Sequence, residues 1–242
     1  MTNKTERAML NIITPAGIAV WPKLNTPDEY KGKFTFNTKL VIDPEEDGLV
    51  NKQPRNLIEA AHELRDELLA KTRAELLEQA AEAKAAKKGA KAKELAEKAA
   101  SLEAVDFGKP ETDEETGEET GKLVISAKTN ATYKDKKGVV RDRKVTIFDA
   151  RGKKLAEAPQ IGSGSTLKVA ASMVPYYMPK DNIVGVTLYL DAVQIIDLVT
   201  FGGGRSAEAY GFGEEDGYTT EDESFGETSG GNNEDAGDGS TF

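Results

Sequence analysis

The stretch Lys33-Phe34-Thr35-Phe36-Asn37-Thr38-Lys39-Leu40-Val41-Ile42 decides the class of fold. Phe34, Phe36, Leu40 and Ile42 fall on one side of an extended chain, and Lys33, Thr35, Asn37 and Lys39 on the other. Side chains alternate across a strand with period two, so this segment is a strand with one buried and one wet face. Asp43-Pro44 and Asp47-Gly48 end it. Ala16–Leu24 reads as the strand before it. Further on, Lys122–Tyr133 carries Leu123, Ile125 and Ala127 inward, and a short strand sets Val145 and Ile147 opposite Lys144, Thr146 and Phe148. Thr166–Val174 alternates Leu167, Val169, Ala171 and Met173 with Thr166, Lys168, Ala170 and Ser172. Gly185–Leu198 sets Val186, Leu188, Leu190 and Ala192 opposite Thr187, Tyr189 and Asp191.

The period changes between the early strands. Pro54 suits the first turn of a helix, and Leu57 to about Lys88 is built from strong helix formers. Leu57, Ile58, Ala61, Leu64 and Leu68 form an apolar stripe at helical spacing, so the first turns dock on the body. The stripe then fades into alanines. Lys84, Lys87, Lys88, Lys91 and Lys93 make the far end basic, as a solvated face, and Gly89 breaks the helix before a shorter one at Lys91–Glu103. A helix of about 34 residues would extend roughly 50 Å at 1.5 Å per residue, so this insertion, at about residues 54–104, is expected to project. The fold expected is mainly β with a helical insertion: a small, partly open barrel of five to six strands. A parallel sheet would need a helix between most strands.

Charge is sorted along the chain. The segment 202–242 holds eleven acidic residues and one basic residue, Arg205, and so carries the whole formal charge of −10. Rich in Gly, Ser, Thr and Asn, it cannot bury enough apolar surface to offset its chain entropy and is expected to be a disordered tail beside a body at 1–201. A second acidic cluster (Glu111, Asp113, Glu114, Glu115, Glu118, Glu119) reads as a solvated loop at about 109–121. Its spacing does not match an EF-hand, so no metal site is expected. There is no cysteine, and His62 is the only histidine, which excludes thiolate chemistry and sharply limits Ser-His chemistry. No long apolar run or signal-peptide core occurs, so neither membrane association nor export is expected.

The wet faces share a composition. Lys23 follows Trp21-Pro22; Lys33 and Lys39 flank the first quoted strand; Lys128, Tyr133, Lys134, Arg141, Arg143, Lys144 and Phe148 form a basic run with interleaved rings. Lys168 precedes Tyr176 and Tyr177, of which only one can face inward in an extended segment, and Tyr189 lies on the polar side of the last strand. Backbone phosphates need mobile cations and unstacked bases need flat π surfaces, so this pattern is what a single-strand binder requires. Phe34 and Phe36 are expected in the core, in phase with Leu40 and Ile42. Trp21 suits either a core position or an exposed platform. The tail alternates carboxylates (Glu221, Asp222, Glu223, Glu234, Asp235 and Asp238 among them) with aromatics and ends on Phe242, imitating phosphates and bases. It could occupy the basic cleft until DNA displaces it. No P-loop, zinc motif or nucleophile elbow is present, and the acids sit in flexible segments, so an enzyme and a cofactor are not expected. A protein-interaction or chaperone-like factor using its acidic tail on a basic client stays open as the alternative.

The chain resembles the single-stranded DNA-binding proteins of tailed bacteriophages. The resemblance rests on Ile161-Gly162-Ser163-Gly164-Ser165 leading to Val174-Pro175-Tyr176-Tyr177, on Gly185-Val186-Thr187-Leu188-Tyr189-Leu190-Asp191-Ala192-Val193-Gln194-Ile195-Ile196, and on the acidic tail ending in Phe242. It implies an OB-fold, sequence-tolerant binding of single-stranded DNA in replication and recombination in the cytoplasm of the infected host, and a tail whose terminal aromatic contacts partners such as the phage DNA polymerase. Dimerisation through exchanged tails belongs to that family, which leaves a homodimer open here.

Overall fold

The structure, a computed structural model, describes residues 8–200. The expected disorder of 202–242 therefore lies outside the described residues. In chain order the strands are β1 (Leu10–Ile13), β2 (Gly17–Tyr30), β3 (Lys33–Ile42), β4 (Gly48–Val50) and β5 (Gln53–Arg55), followed by helices α1 (Leu57–Ala85) and α2 (Gly89–Ala100). Then come β6 (Glu103–Ala104), β7 (Lys109–Thr112), β8 (Glu119–Asn130), β9 (Thr132–Lys134), β10 (Val140–Asp142), β11 (Thr146–Phe148), β12 (Thr166–Met178) and β13 (Ile183–Asp197).

Five of these close a ring: β2 pairs β3, β3 pairs β8, β8 pairs β13, β13 pairs β12 and β12 returns to β2. This is the OB-fold order, with β2, β3, β8, β12 and β13 as barrel strands one to five. Two seams are narrow. β8 meets β13 in parallel only at Leu188↔Ala127 and Tyr189↔Lys128, and β12 meets β2 only at Thr166↔Ile18 and Leu167↔Gly17. Leu40, Leu167, Leu188 and Leu190 fill the interior almost without solvent contact, each contributing about 1.5–3 kcal/mol relative to exposure. The Gly-Ser stretch before β12 is held by Ser165, whose buried hydroxyl donates to the Gly162 carbonyl (2.8 Å) and accepts the Val199 N–H (2.9 Å).

Several boundaries differ from the sequence reading, each for a local reason. Pro54 does not open the helix. It lies in β5 opposite Leu49, where a missing N–H is tolerated on an edge strand. Asn56 caps α1 instead, its Oδ1 accepting the N–H groups of Ile58 (3.0 Å) and Glu59 (3.1 Å). The acidic loop is a hairpin: β7 pairs the start of β8, and the Asp113 carboxylate accepts the N–H groups of Glu115 and Thr116 across the turn. Those hydrogen bonds, Thr116 first, hold Asp113 below the usual carboxylate range. β2 runs on to Tyr30 through Pro27, with register shifts between Val20 and Lys23 and between Lys23 and Asp28.

Leu57, Ala60, Ala61 and Leu64 seat the first turns of α1 on the barrel, against β4, β12 and β13. Beyond them, the small buried residues Ala80 and Ala83 let α1 pack closely on α2. Arg73 ties the pair by donating to the carbonyls of Ala99 (3.2 Å) and Leu102 (3.1 Å). The lysines of this helical hairpin, Lys84 through Lys93, are exposed.

Phe36 is buried as expected, but Phe34 is not: it is 50% exposed. It has the inward phase of Phe36, yet sits beyond the last filled layer, at the end of the barrel, where no neighbour covers it.

Candidate nucleic-acid interface

Strand pairing decides which outward side chains meet. Lys23 pairs with Asn37, Asn37 with Lys128, Lys128 with Tyr189, and Tyr189 with Ser172. Directly opposed residues point to the same side of a sheet, so one row across all five barrel strands presents two lysines and a tyrosine outward. One pleat away, Lys39 lies between Val20 and Ser126. In the other direction the outward phase of β3 reaches Lys33, which pairs with Tyr30 at the β2–β3 turn.

Trp21 sits at the β2 bulge between Val20 and Lys23. It is 68% exposed and held at φ 50°, a region costly for a bulky side chain. Its N–H donates to the Ser163 hydroxyl (2.9 Å), so the Gly-Ser loop fixes this turn and the indole points away from the core.

A cleft of 770 Å³ runs along this face, lined by Lys39, Lys109, Lys128, Tyr176, Tyr177 and Tyr189 over Ser126 and Thr187. Its lining includes one acid, Asp106, which is engaged by Arg65 (3.0 Å). Tyr176 and Tyr177 are both half-buried and both line the cleft. Tyr177 has the inward phase but lies near the end of β12, where its hydroxyl donates to Asn182 Oδ1 (3.2 Å). The Asn182 amide in turn donates to the Lys98 carbonyl (2.8 Å) and Ser101 Oγ (3.1 Å), tying this end of the cleft to α2.

Tyr176 lies across Gly185, its register partner. A Cβ at Gly185 would stand 2.6 Å from Tyr176 Oη and 2.7 Å from Cζ. Gly185→Ala is therefore expected to lift the Tyr176 ring while the fold persists, because the tip of a side chain can give way. A severalfold loss of single-strand affinity with an unchanged melting profile is the expected outcome, read by anisotropy and circular dichroism.

Tyr189 also lines a second cleft, of 430 Å³, with Tyr133, Lys134 and Arg143. The two clefts thus adjoin at this residue. The Arg143 guanidinium lies 5.5 Å from the Tyr133 centroid and donates to Thr129 Oγ1, which holds a cation and a π face together. The β9–β10 turn beside them is fixed by Asp135. Its carboxylate is held below its ordinary range by hydrogen bonds from the Val139 N–H, the Arg141 side chain and the Lys137 N–H.

Of the residues singled out in the sequence, Trp21, Lys23, Lys39, Lys128, Tyr133, Lys134, Arg143, Tyr176, Tyr177 and Tyr189 come to one face or its two clefts, with Lys33 at its turn. Arg141 is engaged by Asp135 (3.2 Å). Lys144 lines a different cavity, at the barrel end. Phe148 and Lys168 both pair with Gln194, five positions along β13 from Tyr189, and line neither cleft. The tail residues Glu221, Asp222, Glu223, Glu234, Asp235, Asp238 and Phe242 lie outside the described residues. Sequence reasoning missed Lys109, hidden in the acidic segment, and Tyr30 with Lys31, whose ammonium lies 5.1 Å from the Tyr30 centroid. Only a strand continuing through Pro27 would have pointed to that pair.

Comparison with known proteins bears on the same residues. The family model described as single-stranded DNA-binding protein, bacteriophage T7, matches residues 35–198. The single-stranded DNA-binding protein of Enterobacteria phage T3 is 37% identical over 103 residues, 42% of this chain and 44% of that protein. That of Escherichia phage T7 is 37% identical over 99 residues, 40% of this chain and 42% of the relative. The aligned part thus spans less than half the length of either relative. The crystal structure of gp2.5, a single-stranded DNA-binding protein encoded by bacteriophage T7, superimposes with a TM-score of 0.52 at 26% identity, covering 88% of this chain and 99% of that one. With a matched segment that takes in four of the five barrel strands and both clefts, the chain belongs to the bacteriophage T7 family of single-stranded DNA-binding proteins.

Proposed function

We propose that this protein binds single-stranded DNA without sequence preference, in phage replication and recombination in the infected host cytoplasm. One observation carries the reading: the outward row of Lys23, Asn37, Lys128 and Tyr189 ends on a tyrosine that lines two adjoining clefts. The lysines and Arg143 meet phosphates as point charges and a planar fork. Trp21, Tyr133, Tyr176 and Tyr189 offer π faces, which accept any base. Stacking on these rings and charge contact with phosphates need no particular base edge, so the binding is tolerant of sequence.

The protein's only tryptophan supplies the test, because Trp21 is exposed beside this row. Titration with oligothymidine at low salt should quench its fluorescence saturably, with a parallel rise in the anisotropy of a labelled strand. Double-stranded DNA should compete poorly. If neither signal moves at low salt, in the full chain or in one lacking 202–242, the proposal fails.

The acidic tail acts in the same reading as a competitor for the clefts and as the recruiting arm for replication partners such as the DNA polymerase, with the homodimer as one arrangement of exchanged tails. Its charge of −10 in 202–242 supports this, and tethering gives it an effective concentration of about millimolar for a flexible linker. Removing 202–242 should tighten DNA binding at low salt, and the gain should shrink as salt screens the attraction. Equal affinities of the two chains at low salt would exclude the competition.

A further inference from the structure

The geometry points to a separate nucleobase subsite at the end of the barrel, in which an unstacked base lies against Phe34 as the strand passes Arg143. This inference rests on the single-strand reading above. A cavity of 780 Å³ opens there, in the size range of small-molecule sites. Phe34 faces it half exposed, with Phe36, Leu24 and Leu155 as an apolar floor.

The walls are built rather than collapsed. The Asn25 amide donates to the carbonyls of both Ala158 (2.9 Å) and Pro159 (3.0 Å), and the Leu155 N–H donates to the Ile147 carbonyl (2.9 Å), so the segment after β11 is strapped to β2 and β11. Charge fits the same ligand: Arg143, Lys144 and Lys154 line the cavity against one acid, Asp142. Adjacency completes the case, because Arg143 and Thr132 line both this cavity and the cleft that Tyr133 and Tyr189 line. A phosphate held at Arg143 places the next base over the cavity. The ring can then stack on it whatever its identity.

The test uses the full chain, with wild type, Phe34→Ala and Phe34→Tyr, against oligothymidines of increasing length. Wild-type affinity should rise by a further step once the strand is long enough to reach past Arg143. Phe34→Ala should lose that step, about 5- to 150-fold if one stacked base is lost, and Phe34→Tyr should keep it. A strand carrying 5-iododeoxyuridine near the corresponding end should photo-crosslink to the peptide that contains Phe34. If wild type binds no strand, the parent reading falls. If wild type binds and Phe34→Ala matches it at every length, only the subsite falls. Tighter binding by Phe34→Ala would mean that the cavity holds a competing segment of the protein, and would also overturn the assignment.

Discussion

Raising the salt from about 50 to about 200 mM should weaken binding of a single strand to the chain lacking 202–242 about a hundredfold. Five cations carry this expectation: Lys23, Lys39 and Lys128 on three barrel strands, and Lys109 and Arg143 in the lining of the two clefts. Each phosphate neutralised on a single strand contributes about −0.7 to the slope of log affinity against log salt, so five contacts give about −3.5. Lys128→Ala should make the slope shallower by about 0.7, because Lys128 lies mid-row between Asn37 and Tyr189. In the full chain the slope should be smaller throughout, since the same salt also weakens the tail that competes for these cations. Fluorescence titrations over a salt series measure all three slopes. A slope near zero in the truncated chain would remove phosphate contact from the account of this face.

Tyr189→Ala should weaken single-strand binding strongly. Its ring is 45% exposed and lines both clefts, so a strand that follows them must pass over it. Losing one stacked base costs about 1–3 kcal/mol, a roughly 5- to 150-fold loss of affinity. The protein should remain folded, because an exposed side chain on a barrel strand changes stability by about 0.5 kcal/mol or less. Tyr189→Phe keeps the π face and should retain most of the affinity, which separates stacking from hydrogen bonding by the hydroxyl. Anisotropy gives the affinities and thermal denaturation controls for folding. Wild-type affinity in Tyr189→Ala would place the strand elsewhere.

Phase and position are different kinds of information, and the site shows where one ends. Lys128, Phe148, Lys168 and Tyr189 are all out of phase with the core of their strands, and the sequence reading treated them alike. Lys128 and Tyr189 are register partners at the centre of the face, whereas Phe148 and Lys168 both meet Gln194 farther along β13. Phe34 makes the converse point. Its phase is that of Phe36, but burial also needs a neighbour on every side, and the barrel ends one layer short of it.

The amino-acid sequence alone determined the inside and outside of most strand positions, the helical insertion between the second and third barrel strands, and the segregation of net charge into 202–242. These are local properties: alternation follows from backbone geometry, helix from side-chain entropy and periodicity, and charge from composition. Tertiary structure decided the rest. Alternation placed Phe34 and Ala192 inward, whereas Phe34 is half exposed and the bulge in the β12–β13 pairing turns Val193 and Ile195 inward in place of Ala192. The bulge at Trp21-Pro22, the run of β2 through Pro27 and the two narrow parallel and antiparallel seams set the register between residues far apart in the chain. Register, a balance of distant backbone hydrogen bonds and core packing that no local window contains, is what brings Lys23, Lys128 and Tyr189 into one row.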